Sequence, residues 1–261
     1  MYKPSIVITA MRNNLIHPGV AGLHPFRCAL LIMSVVFCNA SLMAQLQPAL
    51  ADSFLHFIVA NPAKAAVYIS RNDTTVAQLN QHQLMPLAST VKILVAIEFA
   101  KQAGNGTIDE NEYVSLQTLN KYFLPFTDGG AHPRWIAQEQ LKKHVREDSI
   151  RLIDVARGMI MFSSNANTEY LGDRLGLDNI NRNRALFGLK KHTPVYPMVS
   201  ALFLYQRPAN LTEEEVLAGI RKLSVKQYVA ETNRIHQQLT SDSTFKSTFT
   251  LLTPSLLPAT T

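Results

Sequence analysis

Cysteine is almost absent from this 261-residue chain, and both copies, Cys28 and Cys38, fall in one apolar stretch near the N-terminus. If that stretch is removed as a leader, what remains has no disulfide and no thiolate for a metal. Glycine is scarce too, with 11 residues ending at Gly219, and none of them follows a serine or threonine. Charged residues make up only 17% of the chain, and the basic ones form no stripe interleaved with aromatics, which argues against nucleic-acid binding. The chain has no internal repeat, no low-complexity run and no clear interdomain linker. Its length suits one domain, or a domain with a helical subdomain, and is enough to bury a substantial core.

What is present begins with a leader pattern. Residues 28–44 follow Arg27, are mostly apolar, and end in Ser41-Leu-Met-Ala44 before Gln45. A basic flank, an apolar core too short for a confident membrane span and small residues at the end read as a signal peptide cleaved near Ala44-Gln45. This predicts a leader over 1–44, a mature chain over 45–261 that is periplasmic or secreted, and no stable span after cleavage. Phe37 before Cys38 does not suit a lipoprotein signal, and the long segment before the apolar core allows a start at Met11 or later. Cleavage removes Lys3, Arg12 and Arg27 and no acidic residue, so the formal charge falls from +6 to +3.

The sharpest signal is Met85-Pro-Leu-Ala-Ser-Thr-Val-Lys92, followed by good helix formers to Gln102 and a stop at Gly104-Asn-Gly106. Residues i and i+3 share a helix face, so Lys92 lies beside Ser89 and can take or hold its hydroxyl proton. At a helix start, free backbone N–H groups can also stabilise an oxyanion. Upstream, Ala65–Arg71 reads as a strand, Asn72-Asp73 as a turn and Thr74–Leu79 as the returning strand. Ser243-Thr-Phe-Lys246 repeats the serine-lysine spacing, but in a segment that reads as strand-like with no helix after it.

A second motif follows at Met161-Phe-Ser-Ser-Asn165. A helical stretch from about Ser149, with Ile150, Ile153, Val155, Ile160 and Phe162 on its apolar side, ends at Ser163-Ser-Asn165, and a short helix runs on to Leu175-Gly176. Ser and Asn favour caps and turns, so these residues could merely turn the chain. Beside Ser89 and Lys92 they also supply two polar groups at a helix-to-helix corner.

With both motifs in order, the chain resembles the class A β-lactamases and their penicillin-binding relatives, whose signature set is S-x-x-K, S-D-N and K-T-G. The resemblance spans roughly Ala63 to Leu204 and implies an α/β fold, β-lactamase- or transpeptidase-like, with an antiparallel sheet and a helical subdomain. It also implies roles: Ser89 as nucleophile, Lys92 as base, Ser163 as proton relay to the leaving group and Asn165 as clamp on the substrate amide. Ser164 stands where the family has an aspartate of structural role. The third motif is missing, because no Lys-Thr-Gly or close equivalent occurs anywhere. The fold is therefore expected to lack its last strands, and catalysis to be weak, since one lost oxyanion donor costs about 10²–10³ in rate. The family's deacylating glutamate, in an E-x-x-L-N pattern, has no counterpart in Lys191–Leu202. Glu213, Glu214 and Glu215 follow Thr212, where Thr212 with Glu215 reads as a capping box.

Tyr113 to Trp135 is longer than the matching family segment, which rims the active site. Tyr122, His132 and Trp135 thus either shape the pocket or plug the core beside a Gly-Pro turn. No second ligand is spaced to make His132 a metal site. Further on, Asp178 reads as the cap of a short helix to about Phe187 and Thr212 to Leu239 as two helices broken near Ser224, with a Ser/Thr/Pro-rich tail from Thr240.

The reading is a monomeric serine hydrolase without cofactor or metal, acylated at Ser89 by a β-lactam or related amide. An alternative with the same residues is a carboxypeptidase-like hydrolase of cell-wall peptides. A contrasting class is a shortened, non-catalytic homologue that only binds.

Overall fold

The computed structural model describes residues 52–206, 208 and 210–247. The leader expected over 1–44 and the end of the Ser/Thr/Pro-rich tail, after 247, lie outside the described residues. The described chain divides into two compact units, one ending at Pro86 and one starting at Leu87.

The first unit holds a helix, α1, over residues 52–60 and a hairpin of β1 (Val67–Arg71) and β2 (Thr74–Leu79). The pairing is antiparallel, with Val67 opposite Leu79 and Arg71 opposite Thr74, and an irregularity between Ile69 and Ser70. Asn72 and Asp73 take φ of 49° and 60° at the turn, which short polar side chains tolerate and which matches the strand twist. The Asn80 amide then donates to Pro62 O at 2.7 Å and Ala65 O at 3.1 Å.

The second unit is built around α2 (Lys92–Gly104), which packs against α5 (Leu152–Met161), α6 (Asn165–Leu175) and α7 (Leu177–Leu186). Leu94, Val95 and Phe99 of α2 are buried against Val155, Met159, Leu171, Leu175 and Ile180. A three-residue ribbon of β3 (Tyr113–Ser115) and β4 (Ser149–Arg151) pairs Val114 with Ile150 in this core. Between these strands run α3 (Leu116–Asn120) and α4 (Ala131–Leu141).

After α7 come α8 (Met198–Ala201), α9 (Glu213–Arg221), α10 (Val225–Ser241) and α11 (Ser243–Ser247). Ile235 and Leu239 of α10 close a smaller core with Leu124, Val199 and Phe203. Thr212 and Ser224 cap α9 and α10 through complete capping boxes with Glu215 and Gln227, which places the break near Ser224 where the sequence put it.

The α/β class is as expected, mostly helical among the described residues with two small antiparallel pairs. Three local expectations need correction. The segment Ser243–Ser247 is helical, not strand-like, because Asp242 accepts the Thr244 N–H and hydroxyl and so starts a turn. The stretch from Ser149 begins as strand β4 and becomes helical only at Leu152. Helix α7 starts at Leu177 after Gly176, with Asp178 inside its first turn.

Candidate active site

Ser89 sits in a 3-10 turn, Ala88–Val91, that runs straight into α2. Its backbone N–H, in the first turn, has no intrahelical carbonyl to bond. The turn is entered through Ala88 at φ 45°, and Ser163 takes φ 65°. Left-handed backbone at non-glycine residues costs about 1–3 kcal/mol and is held only where the surroundings fix it. Here it occurs on both sides of the same small site.

Lys92 is buried at 2% exposure, yet its Nζ is surrounded by oxygens. It donates to Ser163 O at 2.7 Å, Ser163 Oγ at 2.9 Å, Asn165 Oδ1 at 2.8 Å and Ser89 Oγ at 3.3 Å. Ser163 Oγ donates to Ser89 Oγ at 2.8 Å. The four residues singled out from the sequence thus form one continuous network. Burial pulls the Lys92 ammonium down to about 8, against the raising effect of Asp128 and Glu169. A minority of neutral lysine is therefore present at pH 7, as a base requires. Ser163 O and Asn165 Oδ1 can only accept, so they hold the two N–H bonds of neutral Lys92 and leave its lone pair for a serine hydroxyl.

The surroundings fix this geometry. Ser164 is the N-cap of α6, its Oγ accepting from Asn167 N at 3.3 Å, and it lies 2.9 Å from His132 Nδ1. Thr127 O accepts from Asn165 Nδ2 at 3.0 Å. The Asp128 carboxylate accepts N–H bonds from Gly130, Ala131 and His132, and a longer one from Asn165 at 3.4 Å. It therefore starts α4 and steadies the first residue of α6 together.

His132 and Trp135 are fully buried, at 1% and 0% exposure, so they do not shape a pocket. His132 stacks on Phe123 and lies tilted against Trp135, and burial drives its imidazole down to about 4, hence neutral. Tyr122 does not reach the serines either, since its hydroxyl donates to Asp173 Oδ2 at 2.9 Å. The core-plug alternative describes this segment.

Sequence reasoning missed Thr127 and Asp128, which act through a backbone carbonyl and a cap and have no spacing signature. It also missed a readable one: Asn165, Glu169 and Asp173 recur every four residues and line one face of α6. Glu169 Oε1 accepts from Val199 N at 3.0 Å, and Glu169 and Asp173 both pair with His236 of α10. For metals, Glu139, His144 and Asp154 bring ligand atoms within 4.8 Å of one another. Their carboxylates are already bonded to Lys142, His144, Arg151 and Arg157, so the charge is balanced without an ion.

Among known proteins, residues 49–240 match a family described as the beta-lactamase enzyme family. No curated protein matches the chain.

Proposed function

Because the chain belongs to the beta-lactamase enzyme family, we propose that it is a serine hydrolase of the class A type, acylated at Ser89 by a β-lactam or a related amide. The observation that carries this reading is the buried Lys92 Nζ bonded to Ser89, Ser163 and Asn165 at once. Neutral Lys92 takes the Ser89 proton as Oγ attacks the amide carbon, and the Ser89 N–H faces the oxyanion. As the C–N bond breaks, the proton passes from Lys92 through the Ser163 hydroxyl to the leaving nitrogen. An ester on Ser89 remains, and water must hydrolyse it.

Deacylation is the slower half. The stretch Lys191–Leu202 has no carboxylate, and Thr212 and Glu215 are occupied in capping α9. The chain also carries no Lys-Thr-Gly to complete the oxyanion hole. The same observation favours a second reading, a cell-wall peptidase-like protein on which penicillins remain as long-lived esters. Turnover of a chromogenic cephalosporin measures the difference. A kcat within the usual enzyme range of about 1–10³ s⁻¹, lost in Ser89→Ala, identifies a lactamase. A stoichiometric burst followed by almost no turnover identifies the peptidase-like protein. Neither burst nor turnover in a folded chain removes both and leaves the non-catalytic homologue.

The proposed setting is the periplasm or the exterior, and the proposed unit is a monomer acting on small molecules. N-terminal sequencing of exported protein should begin at or near Gln45, and a cytoplasmic product that retains Cys28 and Cys38 contradicts export.

A further inference from the structure

One buried ionic cluster takes no part in the chemistry above. His236 of α10 is 8% exposed, and both of its ring nitrogens face carboxylates of α6. Nε2 lies 2.9 and 3.0 Å from the two oxygens of Asp173. Nδ1 lies 3.2 Å from Glu169 Oε2 and 3.1 Å from Ser200 Oγ. A neutral ring would satisfy Nδ1 by accepting the Ser200 hydroxyl, but two carboxylates within 3.2 Å of the ring favour the imidazolium.

Glu169 is the link to the active site. It stands one helical turn beyond Asn165, on the same face of α6, and Asn165 bonds Lys92 at 2.8 Å. Glu169 therefore stands on the helix face that meets Lys92, where burial leaves little water to screen its charge, and it favours the ammonium. We propose that Glu169 and His236 are positioning residues that set the proton affinity of Lys92: the Glu169 carboxylate raises it, and the His236 imidazolium, by neutralising Glu169, keeps it low enough for lysine to act as a base. The catalytic consequence rests on the reading of Lys92 as base; the electrostatic coupling does not.

Other charges around these groups act at either end. Asp128 also faces Lys92. Around His236 stand Tyr122, whose hydroxyl is held by Asp173, and Lys121 and Lys246, which line the same small cavity as Glu169 and His236. The Lys246 Nζ is bonded to Asn120 O at 2.6 Å, so it makes no pair with Glu169. Desolvation opposes charging of His236, yet the two carboxylates outweigh it and lift the ring to about 9.

The test is direct titration of Lys92 in the full chain by NMR of ¹³C-labelled lysine, with the signal assigned by its loss in Lys92→Ala. The wild-type midpoint should lie near 8. Glu169→Gln should lower it, and His236→Gln should raise it, each by at least about half a pH unit. That is about a threefold change in neutral lysine at pH 7. If His236→Gln does not fold, His236→Asn carries the same expectation, whereas Asp173→Asn, at a side chain 40% exposed, removes a carboxylate and should not raise the midpoint. In the double variant Glu169→Gln/His236→Gln the two opposite shifts should largely offset and leave the midpoint near that of the wild type.

Unshifted midpoints in the folded single variants, or shifts of the same sign in Glu169→Gln and His236→Gln, would overturn the coupling. The pH profile of acylation should move with the titration, whereas a merely structural role slows acylation at every pH and leaves its inflection in place. Midpoints that shift as expected in a chain no penicillin acylates uphold the coupling and refute the hydrolase reading, so the two failures are distinct.

Discussion

At the residue scale the outcome depends on one ammonium. Lys92 is buried among acceptors, and burial lowers it to about 8. Acylation of Ser89 should therefore accelerate as pH rises from 6 and level off above about 8, a profile that stopped-flow measurement with a chromogenic β-lactam reads directly. Lys92→Ala should slow acylation by about 10²–10⁴-fold, the usual contribution of a general base. Ser163→Ala should cost less, because water can replace a hydroxyl relay. Equal small losses in both variants would mean that neither residue moves the proton. The strained backbone at Ala88 and Ser163 belongs to the same account, since it aims the two hydroxyls at each other.

At the element scale the site is a corner where α5 stops and α6 starts, pressed against the first turn of α2. Gly158 of α5 makes that contact possible: a Cβ there would overlap the Trp135 indole and the Asn167 amide. Neither neighbour can yield, because the indole is fully buried and the Asn167 amide donates to Val155 O at 3.0 Å. Gly158→Ala should therefore destabilise the chain by at least about 1–3 kcal/mol, read as a lower urea midpoint, and should weaken acylation by shifting Asn165.

Much of this scale was legible beforehand. Period, caps and breakers gave β2, the end of α2 and the α9–α10 break, because Thr212 and Ser224 signal through local hydrogen bonds. Ser89, Lys92, Ser163 and Asn165 were legible because their spacing is local. Thr127, Asp128 and His236 were not, because each reaches the site across the fold. His132 and Trp135 were ambiguous for a related reason: an aromatic pair after a Gly-Gly turn has the same pattern over a pocket as in a core. The helical Ser243–Ser247 shows a cap, Asp242, overriding β-prone threonine and phenylalanine.

At the scale of the whole molecule, His236 joins α10 to α6 and to Ser200 of α8. Its folded-state value of about 9 lies above the unfolded value of 6.5. The stability it supplies is therefore complete below about pH 6.5 and is lost as pH rises toward 9, on the order of 1–3 kcal/mol. Lys92 has the opposite sign: its lowered value costs stability in full below about 8, a cost relieved only as pH rises from 8 toward 10.5. Between pH 6.5 and 8 the urea midpoint should thus fall, and in His236→Gln that slope should flatten. A midpoint independent of pH in the wild type would mean that the ring is not charged in the fold.

Every part of the account converges on a covalent bond to one oxygen, so the most direct measurement is the intact mass of the folded chain after exposure to a penicillin. The expected result is one adduct of the full mass of the penicillin, mapped to the peptide containing Ser89, abolished in Ser89→Ala and retained in Ser243→Ala. An adduct that survives Ser89→Ala, or neither adduct nor penicillin turnover from a folded chain at any pH between 6 and 9, contradicts it.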